Sequence, residues 1–226
     1  LHRIFERFIN ESKVNPAALN RARFMEIADQ VLESDAPWPT ARRLWRARLE
    51  RVIDWFLETE AKRRQIALPA ETEAKGALYL PELDFTLTGT ADRIDRTAGG
   101  EWVIYDYKTG TLPSKDQIKY FNKQLMLEAV MIEHGAFDKV PRGRVFSVGY
   151  IGLGAKSDDP SYLLAPGDSD TIAGELRQLI GEYQQRSRGY TSLRATESQR
   201  ITHDYDHLAR FGEWERSDPA QGEDVG

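Results

Sequence analysis

The stretch Gly89-Thr90-Ala91-Asp92-Arg93-Ile94-Asp95, followed by Tyr105-Asp106-Tyr107-Lys108-Thr109-Gly110, decides how this chain reads. Side chains on a strand alternate faces, so Asp106 and Lys108 point the same way. Between the two halves lies Ala98-Gly99-Gly100, a turn signal suited to a three-residue hairpin loop. If that loop centres on Gly99, Asp92 falls opposite Asp106, each seven residues from the centre. Two carboxylates and an ammonium then converge on one face. That is a divalent-metal site with a positive charge beside it, which is what phosphodiester hydrolysis needs. The bland alternative is an exposed hairpin with ordinary charges. Leu87, Val103, Ile104 and Tyr105 are residues of a buried sheet, where charges are costly unless used.

Outward from the hairpin the chain alternates helix and strand. Residues 2–13 predict a helix with His2, Phe5 and Ile9 on one face. Asn15-Pro16 predicts a second helix, capped by Asn15 and running to about Ser34. Pro37 and Pro39 interrupt it. A long amphipathic helix is expected over 40–64, with Trp45, Leu49, Val52, Ile53 and Phe56 on its apolar stripe. Its other side carries Arg42, Arg43 and Arg46, which read first as a solvated face and second as a phosphate track. Short strands are expected over 65–74 and 77–80, then the hairpin over 83–96 and 101–107. A helix over 115–134, a strand over 145–153 and a helix over 170–185 follow. The expected fold class is α/β, a central mixed sheet flanked by helices with an N-terminal helical region. One domain spans 1–195, with 1–64 helical and 65–195 forming the sheet core with its helices. The polar tail over 196–226 is expected to be partly disordered.

Forty per cent apolar residues among 226 allow a real core, and 30% charged residues mark a soluble chain. No apolar run approaches a membrane span and no signal peptide is visible. There are no cysteines, which suits a cytoplasmic location and excludes iron–sulfur and zinc sites built on cysteine. The chain opens at Leu1 directly in a helical pattern and reads as a fragment of a longer protein. A net charge of −5 argues mildly against a general nucleic-acid binder. A local basic face beside acidic metal ligands meets that objection. Two decoys remain. His203 and His207 have the i, i+4 spacing of a zinc pair, but no third ligand accompanies them. Gly149 to Ser157 mimics a phosphate loop, but Ala155 separates Gly154 from Lys156 and Pro160 follows closely.

The hairpin motif, with Gln124 on the helix after it, resembles the RecB-like branch of the PD-(D/E)XK nucleases. The opening Leu1-His2-Arg3-Ile4-Phe5-Glu6-Arg7-Phe8 is similar to that branch's N-terminal helix, whose histidine is a metal ligand. Gln124-Leu125-Met126-Leu127-Glu128-Ala129, and Asp204 to Arg210 ahead of Gly212-Glu213-Trp214, resemble the C-terminal nuclease domain of AddB-type subunits of alphaproteobacterial AddAB helicase–nucleases. The resemblance implies a restriction-endonuclease-like fold and a DNA exonuclease dependent on Mg2+, with Mn2+ able to substitute. It implies double-strand break repair by homologous recombination, with DNA and an AddA-like helicase–nuclease subunit as partners. His2, Asp92, Asp106 and the Tyr107 backbone carbonyl would hold the metal. Lys108 would be the catalytic lysine, working with Asp92 and Asp106, Gln124 would sit beside the site, and Glu73 would be an outer carboxylate. Alone, His2 reads as a core residue; the hairpin motif reverses that reading. Two departures stand out. Glu128 replaces the tyrosine found four residues after the glutamine in many RecB-like nucleases, and the four cysteines of an iron–sulfur cluster are missing. The alternatives are an inactive nuclease-fold scaffold that binds DNA, and a stand-alone RecB-like exonuclease.

Overall fold

The computed structural model describes residues 1–154 and 156–189, together with Glu213. The expectations for the tail, the His203/His207 pair among them, lie outside the described residues. Helix α1 (His2–Val14) buries Ile4, Phe5, Phe8 and Ile9, the single apolar face that its sequence spacing provides. Helix α2 (Arg21–Asp35) starts later than expected. Asn20 is its cap, accepting from the Arg23 N–H at 2.9 Å, and Asn15-Pro16 instead opens a short 3-10 turn. Helix α3 (Pro39–Ile66) has its proline at the first position, where the missing N–H costs nothing. It runs through Gln65 and Ile66, so the first strand begins at Ala67.

That strand, β1 (Ala67–Leu80), is one 14-residue element where two were expected. It pairs with β2 (Phe85–Thr97), which pairs with β3 (Trp102–Lys108). The hairpin register is as expected: Arg93 faces Tyr105, Ile94 faces Ile104 and Asp95 faces Val103, each pair equidistant from Gly99. After Lys108 come α4 (Lys115–Tyr120) and α5 (Gln124–Glu133) in place of one continuous helix. A capping box at Ser114 and Gln117 starts α4. The break at Phe121–Lys123 makes Gln124 the first residue of α5. Strand β4 (Val145–Gly152) then joins β3 in parallel, the orientation that requires such a crossover. The short edge strand β5 (Ser161–Leu163) has no counterpart among the expected elements, because three residues carry no period. Helix α6 (Asp168–Tyr183) follows.

The result is an α/β architecture, a five-stranded mixed sheet in the order β1-β2-β3-β4-β5 between helices. Alternation along β3 sorts its side chains. Val103, Tyr105 and Tyr107 pack under α1–α3, while Trp102 and Ile104 pack with α5. Asp106 and Lys108 therefore sit on the α5 side. Phe5 stacks on Tyr107 with ring centroids 5.0 Å apart, which pins the first turn of α1 over the end of β3. Among the described residues, no helix is long and apolar enough to cross a membrane.

Candidate metal centre and active site

Because Phe5 anchors α1, His2 projects over the far end of the hairpin. Its Nδ1 lies 3.0 Å from Asp92 Oδ1 and 3.5 Å from Glu73 Oε1. One ligand atom from each of the three residues falls within 4.8 Å of the others. The Asp92 hydrogen bond holds the His2 pKa above its ordinary value, against the opposing effect of burial. The other Asp92 oxygen accepts the Tyr107 N–H at 2.9 Å. The last paired residues of the β2–β3 ladder are Arg93 and Tyr105. Just past them, a side-chain carboxylate takes the place of a strand partner.

Glu73 reaches the cluster through its backbone. It sits between the pairs Thr72–Arg93 and Ala74–Ala91 with φ 48°, a left-handed conformation rare outside glycine. Strain of this kind persists where the surroundings impose it, and it gathers at binding sites. Burial first, then the Asp92 charge, raises the Glu73 carboxyl above its ordinary pKa.

The second group stands on β3 and α5. Asp106 is 3% exposed. Lys108 Nζ donates to its Oδ1 at 3.0 Å and lies 2.8 Å from Oδ2 as an ion pair. Gln124 Nε2 donates to the same Oδ1 at 2.9 Å and lies 3.1 Å from Glu128 Oε1. Asp106 Oδ2 and Glu128 Oε2 are buried with no hydrogen bond. Burial raises Asp106 above the usual carboxylate range, with Lys108 opposing. Glu128, 4% exposed, is pushed up to about 8, chiefly by burial. It is therefore mostly protonated at neutral pH in the absence of a cation. In the sequence Glu128 stands out only as a departure; the signal for more was its place one helical turn from Gln124 on the same face.

These groups fit a hard divalent cation. The donors are carboxylate oxygens and one imidazole; Asp106 Oδ2 makes only the Lys108 ion pair, and Glu128 Oε2 is buried with no hydrogen bond. Two groups of residues form the site: His2, Glu73 and Asp92 on one side, Asp106, Lys108, Gln124 and Glu128 on the other. Asp106 stands outside the three-residue cluster, although the Asp92 charge acts on it. Tyr107 meets the site through its peptide N–H.

Behind the site lies a network that no sequence motif announces. Arg93 is fully buried and forks onto Asp95 at 2.7 Å and onto Glu60 at 2.7 and 3.0 Å. Burial raises the Glu60 carboxyl, but the guanidiniums of Arg93, Arg63 and Arg64 outweigh it and hold it at about 2. The phosphate-track reading of α3 also changes. Arg46 Nε donates to Asp29 at 2.8 Å and its guanidinium pairs with Glu50, while Arg42 Nε donates to the Ala36 carbonyl at 2.5 Å. The phosphate-loop mimic starts within β4, and among the described residues the next regular element after it is the short strand β5, not a helix.

The family model described as the PD-(D/E)XK nuclease superfamily matches residues 1–210. Curated relatives include uncharacterized proteins of Rickettsia typhi, 26% identical over 61% of this chain, and of Rickettsia conorii, 27% identical over 62%. A third, from Rickettsia felis, is 26% identical over 70%. This chain's match spans 17% of the first two relatives and 19% of the third. A solved structure, the crystal structure of SSO0001, superposes with a TM-score of 0.36 at 16% identity, covering 81% of this chain and 87% of that one.

Proposed function

The chain belongs to the PD-(D/E)XK nuclease superfamily, and on that premise we propose that it is a deoxyribonuclease dependent on Mg2+ or Mn2+ that degrades DNA from its ends. The observation that carries this reading is the cluster of His2, Glu73 and Asp92, one ligand atom of each within 4.8 Å of the others, together with the Asp106–Lys108 pair on β3, whose Asp106 feels the Asp92 charge. A divalent cation bound there would lower the pKa of a water and neutralise charge on the phosphoryl oxygens. The ligands would be His2, Asp92 and Asp106, with Glu73 and the Tyr107 carbonyl completing the set.

The protein's own groups divide the remaining work. Lys108 supplies a compact ammonium that orients the attacking water and stabilises developing negative charge. Asp106 holds that ammonium through both oxygens. Gln124 bridges Asp106 and Glu128, so the first turn of α5 fixes the Asp106 rotamer. Protonated Glu128 keeps a further carboxylate charge off the site until a cation is present.

We read the chain further as the nuclease domain of an AddB-type subunit, acting with an AddA-like helicase–nuclease in double-strand break repair. The motif around Gln124 and Glu128 and the segment Asp204 to Arg210 support this. The test is cleavage of end-labelled linear DNA with Mg2+, Mn2+ or EDTA. Cleavage in both metals and none in chelator is the expected result. Robust cleavage in EDTA would overturn the metal mechanism, and none in any metal, even with the helicase partner, would favour the scaffold reading.

A further inference from the structure

The outer face of α3 carries two kinds of arginine. Arg46 is neutralised by Asp29 and Glu50. Arg48 and Arg51, on the same helix, have no ion-pair partner among the described residues, nor does Lys156. All three line one groove of about 710 Å³ between α3 and the loops after β3 and β4. Thr109, Gly110, Thr111 and Leu112 form part of its wall, so it opens at the residue after Lys108. Gly154 packs tightly there: a Cβ would stand 3.1 Å from the Gly110 carbonyl oxygen and 3.2 Å from that of Thr109. The groove thus lies at the C-terminal ends of the parallel strands β3 and β4, where α/β sheets bind ligands. Among the described residues its three cations face one carboxylate, Asp158, leaving a net +2 in a chain of net −5. Trp45 lies in the same wall, half-buried, with the Arg48 guanidinium 4.8 Å from its ring centroid.

Unneutralised cations beside an indole are the equipment of a single-strand channel: charges track the phosphates and the ring stacks an unpaired base. A duplex hides its base faces, and the volume is on the scale of a small-molecule pocket. We propose that this groove holds an unpaired nucleic-acid strand through Arg48, Arg51, Lys156 and Trp45. That it delivers the strand to Lys108 rests on the nuclease reading; that it binds the strand does not.

The test uses the whole chain in EDTA, with anisotropy of a labelled single-stranded oligonucleotide and of a blunt duplex across a salt series. The variant Arg48→Ala/Arg51→Ala/Lys156→Ala should flatten the single-strand salt slope by about 2, roughly 0.7 for each lost phosphate contact. Trp45→Ala should weaken single-strand binding about tenfold, the scale of one base–aromatic stack, and Trp45→Phe should restore most of it. An unchanged slope with an unchanged Trp45→Ala affinity overturns the groove. Equal losses for duplex and single strand overturn the single-strand assignment. If the wild type cleaves DNA and the triple variant keeps its KM, the groove fails and the nuclease reading stands. If groove variants lose binding while no metal supports cleavage, the groove stands and the nuclease reading fails.

Discussion

Two clusters of charge grow from the same four residues, Asp92 to Asp95, and they differ in one respect. Arg93 and Asp95 turn toward α3 and are saturated: every guanidinium nitrogen of Arg93 donates to a carboxylate of Asp95 or Glu60. The groups around Asp92 and Asp106 are less complete: Glu128 Oε2 is buried with no hydrogen bond, Asp106 Oδ2 has only the Lys108 ion pair, and three ligand atoms crowd at His2, Glu73 and Asp92. A buried charge that has all its partners holds structure. A buried polar atom that lacks one has capacity left for a ligand. Strand alternation separates the two roles by a single residue.

The comparison breaks most visibly by removing the ligands. Asp92→Asn and Asp106→Ala should each abolish cleavage together with metal binding measured by calorimetry, while the fold persists. In Asp92→Asn the side-chain amide oxygen would still accept the Tyr107 N–H, and removing one of several mutually repelling carboxylates need not destabilise the protein. Unchanged metal affinity in both variants would refute the ligand assignment.

The saturated cluster should respond in the opposite way. Arg93→Met leaves Glu60 and Asp95 buried without their main partner, and chemical denaturation should show a loss of about 3–5 kcal/mol. A loss below about 1 kcal/mol would remove the distinction between the clusters.

Lys108→Ala tests the catalytic group itself. Metal binding should survive while cleavage falls at least about 100-fold, the effect of deleting one charge-stabilising donor, or about 2.7 kcal/mol. Cleavage at the normal rate would place the active site elsewhere.

Glu128 gives the finest test. Its pKa is about 8 in the folded chain against an ordinary 4.5. A carboxyl raised in this way contributes stability that is full below the unfolded value and is lost as pH rises through the folded one. In EDTA, the Tm of Glu128→Gln relative to wild type should therefore climb between pH 5 and pH 9. A flat difference would mean that Glu128 is already ionised at neutral pH. Arg46→Ala, by contrast, should shift stability by no more than about 1 kcal/mol, as expected of exposed ion pairs.

The parts legible in the sequence are those governed by short range. A Gly-containing loop and period-2 alternation were enough to set the hairpin register, which pairs Arg93 with Tyr105, and to put Lys108 beside Asp106. Amphipathic spacing was enough to define α1 and most of α3. Element boundaries were less legible where two signals competed. Asn15-Pro16 looks like a helix start, but Asn20 supplies the better cap. The helix expected over 115–134 breaks at Phe121–Lys123 although no proline or glycine marks the place.

Tertiary structure alone decided which charged groups share a site and which merely share a sequence. His2 and Asp92 lie 90 positions apart, and the packing of α1 on the sheet, Phe5 on Tyr107 included, brings them together. Glu73 enters through a left-handed residue that no local pattern announces. Glu128 holds its proton chiefly because packing strips it of water. The arginines of α3 look alike in sequence, yet Arg46 meets carboxylates while Arg48 and Arg51 line an open groove. Turn chemistry and periodicity act over a few residues, so one strand of sequence carries them. Burial, partnership and charge compensation depend on what the rest of the chain packs alongside, and they exist only once it has folded.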